Sequence, residues 1–153
     1  MEHISIGNLI IIGLIAGIFG TSAMSIFLNL ISKSGYANAD MIRALGSLFT
    51  KSMNNAFQVG LALHMISGII FAFIYTFIMM ALNIHGFTAC LGAGLIIGFI
   101  HGAVVSFLLV ATVAENHPLP QFQTAGFSVA VAHWAGHIVY GVVVGIVIGI
   151  IGY

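Results

Sequence analysis

Polar positions cut this chain into four long apolar runs, at about residues 5–31, 54–82, 87–114 and 124–153. Each is longer than the ~20 residues that a helix needs to cross a bilayer. None alternates apolar and polar with a period of two, as barrel strands do. A helix satisfies its own backbone inside lipid, so helices are the elements these runs predict. The expected fold is all-α: an integral membrane four-helix bundle, a single transmembrane domain over residues 1–153.

The connections add detail. The first, 32–53, carries Met41, Ile42, Leu45, Leu48 and Phe49 at helical spacing. Asn38 stands where an N-cap belongs, with Asp40 in the first turn. This pattern predicts a short amphipathic helix lying in the membrane interface, with a partly ordered loop as the alternative. The second connection is the tight turn Asn83-Ile84-His85-Gly86. The third, Glu115 to Gln121, contains Pro118 and Pro120, which stop the third span and delay the fourth.

Composition settles the solvent. Hydrophobic residues make up 61% of the chain and charged residues 4%, against about 25% charged in soluble domains. Three acidic and three basic side chains cannot cover a water-facing surface. The lipid bilayer is therefore the first partner. All three basic residues, Lys33, Arg43 and Lys51, fall in the first connection. The positive-inside rule then places loops 32–53 and 115–123 in the cytoplasm and both termini outside, a multi-pass arrangement in a cell membrane. A net charge of zero offers nothing to nucleic acid. A single cysteine, Cys90, excludes an internal disulfide. Met1-Glu2-His3-Ile4 lacks a basic leader region, so the first run reads as a retained span.

A weak repeat relates the two halves. Gly13-Leu14-Ile15-Ala16-Gly17 matches Gly94-Leu95-Ile96-Ile97-Gly98, and Ser25 matches Ser106 at the same offset. His64-Met65-Ile66-Ser67-Gly68 matches His137-Ile138-Val139-Tyr140-Gly141. The chain thus reads as two weakly repeated helical hairpins, a parallel repeat about an axis along the membrane normal. Glycines at spacing four (Gly13 and Gly17; Gly94, Gly98 and Gly102; Gly141, Gly145 and Gly149) let helix backbones approach closely. The last stripe serves either the bundle or a partner subunit.

The candidate chemistry is histidine. His64, His101, His133 and His137 fall about 14–20 Å from the end of the bundle that carries the first loop, near the bilayer centre, at 1.5 Å per helical residue. Polar groups at that depth face the interior, so the four are expected to meet there. His133 and His137 share a helix face. Imidazole ligates copper, zinc and iron ions, and one histidine can also hold a haem or a chlorophyll axially. Met24 and Met65 lie near enough in depth to make copper conceivable. Tyr140 and Trp134 flank the cluster and are placed to hydrogen-bond a ligand histidine or pack on a cofactor ring. Alternatively the histidines bond only to one another, to carbonyls, or to Ser67 and Ser106. His3, His85 and His117 fall at the interfaces and need no special role.

Gly13 to Gly17 with Thr21 and Met24, then His64 opening a Gly-rich run, then His137-Ile138-Val139-Tyr140-Gly141, form an ordered set. In this order of features the chain resembles an uncharacterised, mostly bacterial family of small four-helix integral membrane proteins. The family has no assigned activity. The resemblance implies the architecture and singles out His64 and His137; it implies no reaction. A separate likeness, of Gly20-Thr21-Ser22-Ala23 and Ala132-His133-Trp134-Ala135-Gly136 to the serine and histidine motifs of rhomboid intramembrane proteases, raises a Ser22–His133 dyad.

Four functions follow, in order. The first is a non-catalytic accessory or structural subunit of a larger membrane complex, bound to other membrane subunits or to a second copy of itself. The second is an intramembrane protein binding a metal ion (Cu, Zn or Fe) or a tetrapyrrole through His64, His101, His133, His137 and Tyr140, for electron transfer or metal handling. The third is a transporter, disfavoured because four helices give little room for a pathway and no buried carboxylate can couple protons; the last is a Ser–His intramembrane hydrolase.

Overall fold

Ser5 turns its hydroxyl oxygen onto the Asn8 amide, 3.1 Å away, and so starts the first helix. The computed structural model describes residues 5–153; the expectations for His3 and for the leader-free Met1-Glu2-His3-Ile4 lie outside them. The helices run in the order α1 (Ile6–Lys33), α2 (Met41–Thr50), α3 (Ala56–Ala81), α4 (Phe87–Asn116), α5 (Pro120–Gln123) and α6 (Phe127–Ile151). Four of them, α1, α3, α4 and α6, are long and apolar enough to cross a membrane. The chain is a small all-helical protein built to sit in a bilayer.

The element ends have local causes. After Lys33 the chain leaves α1 through Gly35, at φ +79°, a left-handed conformation that glycine adopts without strain. Helix α2 is capped by Asp40, not by Asn38 as expected. The Asp40 carboxylate accepts from the Arg43 amide at 3.2 Å and pairs with the Arg43 guanidinium at 2.8 Å. A neutral Asn38 amide offers no such ion pair. The fourth span begins at Phe127 rather than Thr124, because Pro120 first opens the single turn α5.

Helix order differs from chain order. Helix α1 packs against both α3 and α6, and α6 against α4, while α3 and α4 barely touch. The sequence around the bundle is therefore α3–α1–α6–α4, with a cleft between its two ends. Each hairpin closes on a glycine stripe. A Cβ at Gly17 would overlap the Ile69 backbone of α3, and one at Gly94 would overlap the Gly141 carbonyl of α6. Gly141, Gly145 and Gly149 all face α4 in turn. That stripe serves the bundle, which decides between the two uses the sequence allowed it.

The amphipathic helix α2 does not lie apart in the interface. Gly46 and Gly60 meet backbone to backbone where α2 crosses α3. From there Met41, Leu45 and Leu48 reach under the cleft toward Leu109 of α4 and Val129 of α6. His117, expected to have no special role, is 1% exposed. Its Nε2 lies 3.0 Å from the Ala44 carbonyl of α2, and its Nδ1 accepts from the Leu119 amide at 3.0 Å. It ties the third connection to α2. At the opposite end the Tyr153 hydroxyl donates to the Ile84 carbonyl, beside the exposed His85 ring. The first and third connections thus share one end, and the second connection and the C-terminus the other.

Candidate functional site

A cavity of about 190 Å³ occupies the cleft at mid-depth. His64 and Phe71 come from α3, His101 from α4, His137 and Tyr140 from α6, and Thr21 from α1. The His101 and His137 rings meet edge to face with centroids 4.9 Å apart, and Phe71 covers His101 at 4.1 Å. His64 and His137 are each 8% exposed.

The expectation that all four histidines meet is corrected here. His133 does not line this cavity. It borders a smaller one, about 70 Å³, beneath α2 and one helical turn away. Four residues along α6 is one turn, so His133 points from the same face at a different level.

Carbonyl partners fix the tautomers of two of the rings. His133 Nδ1 lies 2.8 Å from the Val129 carbonyl, and His137 Nδ1 lies 2.9 Å from the His133 carbonyl. A carbonyl only accepts, so each Nδ1 carries the proton and each Nε2 offers a lone pair. His101 is set differently. The buried Tyr75 hydroxyl stands 2.9 Å from its Nδ1. A phenol both donates and accepts, so this bond is made with the proton of His101 on either nitrogen. Tyr140 donates to the Gly68 carbonyl at 2.6 Å and stacks edge-on with Tyr75 at 5.6 Å. Of the cavity's imidazoles, His137 thus offers its Nε2 lone pair.

Several of these atoms are unpaired. Among the described residues, Nε2 of His64, His101 and His133 and Oγ1 of Thr21 are buried without a hydrogen-bond partner. Each such group costs about 1–3 kcal/mol.

Other sequence-derived assignments separate here. No three His, Cys, Asp or Glu side chains are grouped to hold a metal ion among the described residues. Met24 lines the cavity and Met65 does not. Trp134 turns to the outer face, donating to the Phe99 carbonyl at 2.9 Å, and does not flank the cavity. Ser22 makes no hydrogen bond to His133, whose Nδ1 is held by Val129, so the Ser–His dyad is not formed. Ser67 bonds to the Leu63 carbonyl rather than to a histidine, whereas Ser106 Oγ lies 3.4 Å from His137 Nδ1.

Sequence reading missed Tyr75, eleven residues after His64 on the same helix. The signal was a polar aromatic inside an apolar span. It also missed Ser25, Asn29 and Ser32, a polar stripe at i, i+4 and i+7 on the last turns of α1. Comparison with known proteins adds no assignment: no family model, curated protein or solved structure matches the chain.

Proposed function

We propose that this is an intramembrane binding protein whose histidine-lined cavity takes a small polar ligand. The observation that carries this reading is the unpaired His64 Nε2, buried in the cavity wall. A polar atom kept at such a cost without a partner is suited to a ligand that supplies one. The cavity volume far exceeds the roughly 10–15 Å³ that one water needs. It is below the ~300–1,000 Å³ of sites for drug-sized molecules. That size favours a small molecule over a haem or chlorophyll ring.

A metal ion is the second reading. His133 and His137 each donate Nδ1–H to a carbonyl, the arrangement that orients metal-binding imidazoles. Gathering three nitrogens around one ion requires ring rotations. The accessory-subunit reading loses one of its supports, because the glycine stripes face one another within the chain.

Native mass spectrometry of protein taken gently from its membranes tests the proposal. Wild type is expected to carry a small bound mass or metal ion that His64→Leu lacks. His64→Leu should at the same time unfold no more readily than ligand-free wild type, since it removes an unpaired polar group. A wild type at bare sequence mass, unshifted by Zn(II) or Cu(I), together with a destabilised His64→Leu, would overturn it.

A further inference from the structure

A second cavity, also of about 190 Å³, lies at the end of the bundle that carries the first and third connections. Its wall is mixed, and more polar than that of the inner cavity. Ser25, Asn29 and Ser32 of α1 face Asn38, Asp40 and Arg43 at the start of α2. Asn29 and Arg43 are exposed at its mouth. Among the described residues, His64 and Met41 alone line both cavities. The two spaces therefore adjoin at His64 and Met41, and together they run from the loop-bearing end to the unpaired nitrogens at mid-depth.

We infer that the outer cavity is a vestibule through which the inner one is loaded, with His64 and Met41 forming the gate between them. The ligand is then a small water-soluble polar solute, not a molecule delivered from the lipid. This rests on the binding reading above and adds the route and the class of ligand.

The chemistry of the two walls argues for it. A solute leaving water must exchange its hydration for other polar partners, or its transfer is costly. The vestibule supplies hydroxyl, amide and charged groups in sequence, and the inner cavity supplies imidazole nitrogens. Methionine is flexible and repacks easily, which suits a movable barrier. The His64 Nε2 faces no competing partner, so a solute passing the gate is offered a hydrogen bond there.

Cysteine accessibility tests the route in the full chain, with buried Cys90 replaced as Cys90→Ser. Val105 lines the inner cavity, and its neighbour Val104 is 62% exposed on the outer, lipid-facing side at the same depth. Sealed vesicles are treated with the impermeant cation trimethylammonioethyl methanethiosulfonate, and adducts are read by mass. Lys51→Cys, exposed beside the vestibule end, identifies the vesicle orientation in which that end faces the reagent. Val105→Cys is expected to be modified in that orientation only, and Val104→Cys in neither. Adding Met41→Phe, or Ser25→Phe in the vestibule wall, should abolish labelling of Val105→Cys and leave Asn29→Cys labelled; the second plug covers the case that the first misfolds. Four results would each overturn the inference: labelling of Val105→Cys by a lipophilic maleimide alone, its labelling from the opposite side, equal labelling of Val104→Cys, or indifference to both plugs. None of these results touches the native mass measurement, so route and occupancy fail separately.

Discussion

At the scale of single residues, unpaired and overcrowded atoms identify the working positions. Thr21 Oγ1 sits where a Gly68 side chain would be, so the α1–α3 contact at cavity level depends on a missing Cβ. Gly68→Ala forces a shift in a packed layer and should cost about 1–3 kcal/mol. Thr21→Ala in the same chain should recover part of that loss. Thermal unfolding in detergent gives both values, and equal stability of Gly68→Ala and wild type would contradict the packing. The histidines were legible in the sequence as rare polar groups in apolar runs. Their pairing was not. Whether an imidazole nitrogen finds a carbonyl, a phenol or nothing depends on helix rotation to within a fraction of a turn. Glycine-rich spans such as Gly94 to Gly102 carry little amphipathic signal to fix it.

At the scale of elements, α2 was visible from its apolar spacing, and its partner was not. Met41, Ile42, Leu45, Leu48 and Phe49 fit an interfacial helix equally well. Among the large apolar side chains of that set, Phe49 remains exposed at 66%. What draws α2 inward is the Gly46–Gly60 crossing, two glycines on consecutive helices with no stripe to advertise them. His117 then holds the third connection onto α2. Replacing His117 with Leu removes its bond to the Ala44 carbonyl and leaves the Leu119 amide without a side-chain partner. Gly60→Leu drives a side chain into the Ile42 carbonyl. Both variants should accelerate amide exchange across residues 41–50 while leaving the centres of α4 and α6 protected. The Gly60→Leu effect should be the larger, because it displaces backbone and not only a side chain. Uniform acceleration throughout the chain would instead assign His117 and Gly60 to global stability.

At the scale of the molecule, four spans were readable from length and hydropathy. Their order around the bundle was not, because α3 immediately precedes α4 in sequence yet packs on α1 and barely touches α4. Close Gly–Gly contact binds α4 to α6, and bulkier contacts (Phe73 over Gly13, Ile69 over Gly17) bind α3 to α1. The cleft forms where neither kind of contact is available. Its vestibule opens at the end that bears Lys33, Arg43 and Lys51, and no basic residue stands at the other. Three positive charges against none is a strong bias on the positive-inside rule. We expect the vestibule to face the cytoplasm. In intact cells carrying Cys90→Ser, an impermeant thiol reagent should reach His85→Cys in the second connection and spare Lys51→Cys. The reverse pattern would mean that the cavity draws its ligand from outside the cell. Labelling at both positions would mean that the chain inserts in two orientations, with three charges too few to fix one. The orientation therefore decides which compartment's solutes the histidines can meet, and it can be measured before any ligand is known.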